Sequence, residues 1–169
     1  MLNLSTEFLL PAASLLLLLI AAVTDLAWRI IPNRIPVLVA VLGLIMQALL
    51  GTVMPALFGA AIALAICLAL WWFNIIGGGD AKLLPAVALC VPPAQLVSLY
   101  MTITFTGAVL GLLYILLRMI FRRAGAPNFT GRAVSLWRRV LRIERWRIGH
   151  GGPLPYGVAI AAGTFLVIF

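Results

Sequence analysis

Only four side chains in this 169-residue chain carry a carboxylate: Glu7, Asp25, Asp80 and Glu144. Asp25 closes one long apolar stretch and Asp80 opens another, and a carboxylate near hydrocarbon is costly unless something nearby compensates it. Each acid has a structural explanation of its own. Asp25 could pair with Arg29 one helical turn later, and Asp80 could cap the helix that follows the Gly77-Gly78-Gly79 run. Together they suggest chemistry. Two carboxyl groups brought close cannot both ionise readily and come to share a proton. One can then act as base toward a water while the other acts as acid toward a carbonyl oxygen, which hydrolyses a peptide bond without metal or cofactor. Glu7 and Glu144 are expected to be structural or solvated, Glu144 because it sits among arginines.

The elements that must position these acids are membrane helices. Hydrophobic residues make up 64% of the chain and charged ones 9%, against about 25% charged in soluble domains, and the mean hydropathy is +1.19. No charge interrupts 8–24, 35–79, 83–117 or 151–169. A break at Gly51 to Pro55 divides the second block, and Pro92-Pro93 divides the third. The expected segments are Leu9 to Val23, Ile35 to Leu50, Ala56 to Ile76, a short Ala81 to Val91, Gln95 to Leu117 and Leu154 to Phe169. The first reads as a retained span, since no positive residue precedes it. The fold class is all-α: a polytopic bundle of about six membrane segments, forming one domain over 1–169 with a basic loop at 118–152.

The twelve cations support this order. They fall after the first, third and fifth segments, which places those loops, and with them Asp25 and Asp80, on the cytoplasmic side by the positive-inside rule. The net charge of +8 thereby reads as contact with anionic lipid, and no nucleic-acid motif accompanies it. Arg132 to Arg147 reads as an interfacial amphipathic helix, with Val134, Trp137, Val140, Leu141 and Ile148 on one face. Cys67 and Cys90 lie in apolar runs and are expected to be buried thiols. His150 reads as a loop residue with no partner for a metal site.

Three motifs resemble those of type IV prepilin peptidases. Asp25 is followed by Ile31-Pro32-Asn33; Gly77-Gly78-Gly79-Asp80-Ala81-Lys82 matches the GxGDxK signature; and Leu154-Pro155-Tyr156-Gly157 resembles the family's C-terminal Pro-Tyr-Gly helix. The resemblance implies a membrane aspartic endopeptidase with Asp25 and Asp80 catalytic. Gly77, Gly79, Lys82, Arg29, Pro32, Asn33, Pro155, Tyr156 and Gly157 would bind substrate or support the site. It also implies a bacterial inner-membrane location and a cut after a glycine, just before the hydrophobic helix of a prepilin or pseudopilin. Pilus assembly or secretion machinery would be the further partner. With no paired CxxC motifs, the chain resembles the short, peptidase-only members associated with tight-adherence (Flp) pili. Lys82 could orient Asp80 or anchor at the interface, and the glycines could give flexibility or space. The rival functions are a transporter or proton relay, with its acids near the midplane, and a non-catalytic assembly factor. The presenilin type lacks support, since Thr24-Asp25 and Leu154-Pro155-Tyr156 depart from its motifs.

Overall fold

The computed structural model describes residues 4–121 and 136–169, and among them every regular element is helical. The helices are α1 (Leu4–Trp28), α2 (Arg34–Leu50), α3 (Val53–Trp72), α4 (Gly78–Ala88), α5 (Leu96–Phe121), α6 (Leu136–Gly149) and α7 (Tyr156–Ile168), with a 3₁₀ turn at Pro93–Gln95 before α5. Three stretches, Phe8–Trp28, Val53–Trp72 and Pro93–Phe121, are long and apolar enough to cross a membrane, and α2 and α7 are shorter apolar helices. The chain is a membrane helix bundle.

Each helix buries one narrow stripe at a spacing of three or four residues. On α1 the stripe is Ser14, Leu18, Ala21 and Asp25. On α2 it includes Val39, Gly43 and Gln47; on α3, Ala56, Ala60, Ala63 and Cys67; on α5, Leu99, Ile103 and Gly107. Asp25 therefore points into the bundle because it continues a buried stripe. The other faces expose large apolar groups such as Phe58, Ile66, Phe105 and Leu112, as lipid-facing surfaces do. Trp28 and Trp72, at helix ends, are exposed too, where amphipathic rings suit a membrane interface.

In contrast, α4 is enclosed: every residue from Leu83 to Val91 is buried, packed mainly on α3 and α2. Small residues permit that closeness. A β-carbon on Gly43 would stand 2.6 Å from the Leu89 side chain, and one on Gly163 would stand 2.7 Å from the Ile103 backbone. Cys67 and Cys90 are buried free thiols, as expected.

Several boundaries differ from the sequence expectation. The break between α2 and α3 is only Gly51 and Thr52, because Pro55 sits in the first turn of α3, where no intrahelical N–H is needed. Gly51 takes the left-handed conformation that ends α2. α3 ends at Trp72 rather than Ile76, and α4 runs over Gly78–Ala88 rather than Ala81 to Val91. α4 ends at Ala88 with Leu89 as its C-cap, before the Pro92-Pro93 pair, and a 3₁₀ turn at Pro93–Gln95 leads into α5.

At the end of α4 the buried Gln47 satisfies polar groups that the short helix leaves open. Its Nε2 donates to the Leu89 and Val91 carbonyls at 2.9 and 2.8 Å, and its Oε1 accepts from the Thr52 hydroxyl at 2.6 Å. Gln47→Leu should lower unfolding free energy by roughly 2 kcal/mol, since it strands two buried carbonyls. The drop should appear as a lower melting temperature in detergent, with Gln95→Leu, outside this network, as the comparison.

Candidate active site

The C-terminal end of α1, the Ile30–Asn33 turn and the start of α4 enclose a cavity of about 240 Å³ lined by Asp25, Arg29, Ile30, Ile31, Asn33, Gly77, Gly78, Gly79, Asp80 and Lys82. It brings together the two aspartates and most of the residues expected to support them. Asp25 is 8% exposed and Asp80 is half-buried, and both line this one cavity.

Neither structural explanation offered for the acids holds. Arg29 pairs with Glu144, not with Asp25, in the ion pairs found among the described residues. Asp80 is not the N-cap: Gly77 is, and Asp80 lies inside the first turn of α4, where the positive end of the helix dipole favours a carboxylate. A polar partner for Asp25 comes from the far end of the chain, where the Gly157 N–H donates to Asp25 Oδ2 at 2.9 Å. That donor belongs to the Leu154-Pro155-Tyr156-Gly157 motif. Pro155 forms the N-cap of α7, and Tyr156 fills the space beside Gly107 of α5, so both residues fix where Gly157 stands.

The glycines before Asp80 act by size. Gly77 is the N-cap of α4, and Gly78 and Gly79 form its first turn, with no positive φ at any of the three. A β-carbon at Gly77 would meet Asp80 Oδ2 at 3.1 Å, and one at Gly79 would meet Ile31 at 3.2 Å. Bare backbone at Gly79 lets α4 approach the α1–α2 turn, and at Gly77 it leaves room for the Asp80 carboxylate. Lys82 Nζ donates to Asn33 Oδ1 at 3.0 Å, which joins the Asp80 helix to the α1–α2 turn. Pro32 accepts from Ile35 N–H at 3.0 Å and shapes that turn without lining the cavity. Arg29 itself has a φ of 57° and ends α1.

Glu144 is the residue that sequence reasoning placed least well. It is structural but not solvated, being 7% exposed, and it carries Arg29, the Tyr114 hydroxyl at 2.6 Å and Arg147 at 3.3 Å. Of the apolar face expected for α6, Ile148 is covered and Leu141 is 61% exposed, while the Trp137 side chain lies outside the described residues. Among the described side chains of α6, Glu144 and Ile148 are buried against the bundle. Arg132 and Val134, expected to begin that helix, lie outside the described residues, as does the central part of the basic loop. His150 is exposed, and its Nδ1 is 2.8 Å from the Trp146 carbonyl.

Two carboxyl groups facing one small polar cavity at helix ends can share a proton and polarise a water between them. Among the described residues no three His, Cys, Asp or Glu side chains converge as a metal site requires. No curated protein and no solved structure matches the chain. A family model described as the type IV leader peptidase family matches residues 12–116, which include both aspartates and the whole cavity lining. That match spans well over half of the 169 residues, and the chain belongs to the type IV leader peptidase family.

Proposed function

We propose that this membrane peptidase is an aspartic endopeptidase in which Asp25 and Asp80 jointly bind the attacking water. The observation that carries this reading is the shared cavity, into which two elements separated by more than fifty residues each deliver a carboxylate. Asp25, whose carboxylate accepts from the Gly157 N–H, suits the base, which leaves Asp80 as the acid toward the scissile carbonyl. A proton relay would call for acids near the midplane of the helices, whereas these occupy helix ends.

The substrates in this reading are prepilins or pseudopilins, cut after the leader's terminal glycine and ahead of the hydrophobic helix. The cavity faces the cytoplasm of a bacterial inner membrane, the side on which the basic loops fall, with anionic lipid against the arginines and pilus assembly or secretion machinery receiving the product. The resemblance to tight-adherence (Flp) members supports cleavage without methylation. The test is mass measurement of prepilins incubated with the purified protein in vesicles, with S-adenosylmethionine supplied. Leader loss with no added methyl group is the expected product. An uncut panel counts against the substrate class, and a methylated product against the peptidase-only reading.

A further inference from the structure

The two rows of contacts on Glu144 converge on one place, the last turn of α1. That turn carries Asp25, and its free carbonyls need partners because a helix end leaves them without intrahelical donors. Arg147 of α6 supplies those partners: its Nη1 donates to the Leu26 and Ala27 carbonyls at 3.1 and 3.4 Å. The same Nη1 reaches Glu144 Oε2 at 3.3 Å. The other oxygen, Glu144 Oε1, takes Arg29 and the Tyr114 hydroxyl. Arg29 in turn lines the cavity, and its N–H closes the helix on the Asp25 carbonyl at 2.8 Å. One carboxylate thus ties α6 and α5 to the end of α1, directly at Arg29 and through Arg147 at the Leu26 and Ala27 carbonyls.

We propose that Glu144 is a positioning residue for Asp25. Holding Arg29 on one side and Arg147 on the other, it fixes the rotation of α1's last turn, and that rotation decides where the Asp25 carboxylate points. Gly157 holds the carboxylate itself, while Glu144 acts on the backbone turn that carries it. This inference rests on Asp25 being a reacting carboxylate.

A buried carboxylate carrying two guanidinium groups cannot be neutralised without releasing them. Glu144→Gln keeps the shape and the Tyr114 contact but loses the charge that holds both arginines. Misplacing a reacting group by up to about 1 Å costs roughly 10- to 100-fold in turnover, and that loss should fall on kcat with KM little changed, because substrate contacts remain. The assay uses the full chain in vesicles with a prepilin that the wild type cleaves, and circular dichroism and melting to count folded protein. Glu144→Asp, which retains charge but withdraws it by one methylene, should fall between wild type and Glu144→Gln and decides the matter if the amide variant does not fold. Arg29→Gln combined with Glu144→Gln should be no worse than the more damaged single variant. Leu141→Ala, on the exposed side of α6, should keep wild-type kcat. Wild-type kcat in folded Glu144→Gln or Glu144→Asp, with Asp25→Asn inactive, overturns the positioning role and leaves the two-aspartate reading standing. An active Asp25→Asn overturns both.

Discussion

Asp25→Asn and Asp80→Asn are each expected to lower leader cleavage by at least about 100-fold, the loss that follows when a positioned general acid or base is removed. The two groups line one cavity and would share one proton and one water, so their effects should not multiply. The double variant should be hardly slower than either single one. Both substitutions preserve side-chain shape, and an amide is cheaper to place beside hydrocarbon than a carboxylate, so insertion and melting should be unaffected. Single-turnover cleavage of a prepilin in vesicles, normalised to folded protein, is the measurement. Near wild-type cleavage by either folded variant would rule out a two-aspartate mechanism.

Gly157→Val should be nearly as damaging although it touches no charge. A β-carbon at Gly157 would stand 3.0 Å from Asp25 Oδ2 and 3.1 Å from Asp25 Cβ, so any side chain there presses directly on the carboxylate. The N–H that Asp25 accepts would survive, but the geometry would not. A displacement of that kind predicts roughly 100-fold lower kcat for Gly157→Val and about 10-fold for Gly157→Ala. Ala162→Val, on the exposed side of the same helix, separates this from general damage to α7 and should cleave normally. If folded Gly157→Val turns over like the wild type, contact with Gly157 does not set the position of Asp25.

Asp25, Asp80 and Gly157 were all visible in the sequence as candidates, for different reasons. Asp25 and Asp80 stood out because carboxylates are so scarce beside long apolar runs. Gly157 stood out only through its motif; nothing in composition or periodicity says that its N–H meets an acid 132 residues away. Glu144 was illegible. A glutamate flanked by Arg142, Arg145 and Arg147 reads as solvated, since local sequence shows the neighbouring charges and hides the long-range pairing with Arg29, 115 residues distant. Lys82 was ambiguous for the same reason, and its partner Asn33 belongs to the other motif. The helices themselves were legible from charge-free runs. Their exact ends were not, because Pro55 and the Gly77 to Gly79 run look like breaks yet lie in or against first turns, where helices tolerate them.

The enclosed, eleven-residue α4 has a consequence for the lipid around the protein. Its length is roughly 16 Å, and its short neighbours α2 and α7 reach roughly 25 and 20 Å, against a hydrocarbon layer of about 30 Å. The 26-residue α5 would be roughly 39 Å long and must tilt to fit the same layer. The bundle therefore mixes helices shorter and longer than the layer, and a bilayer accommodates the short α2, which exposes Val37, Val41 and Ile45 beside the enclosed α4, by thinning against it. Thinning there brings headgroups and water down toward the start of α4, where Asp80 lies, so acyl-chain length in the surrounding membrane becomes a variable that acts on the hydration of the cavity.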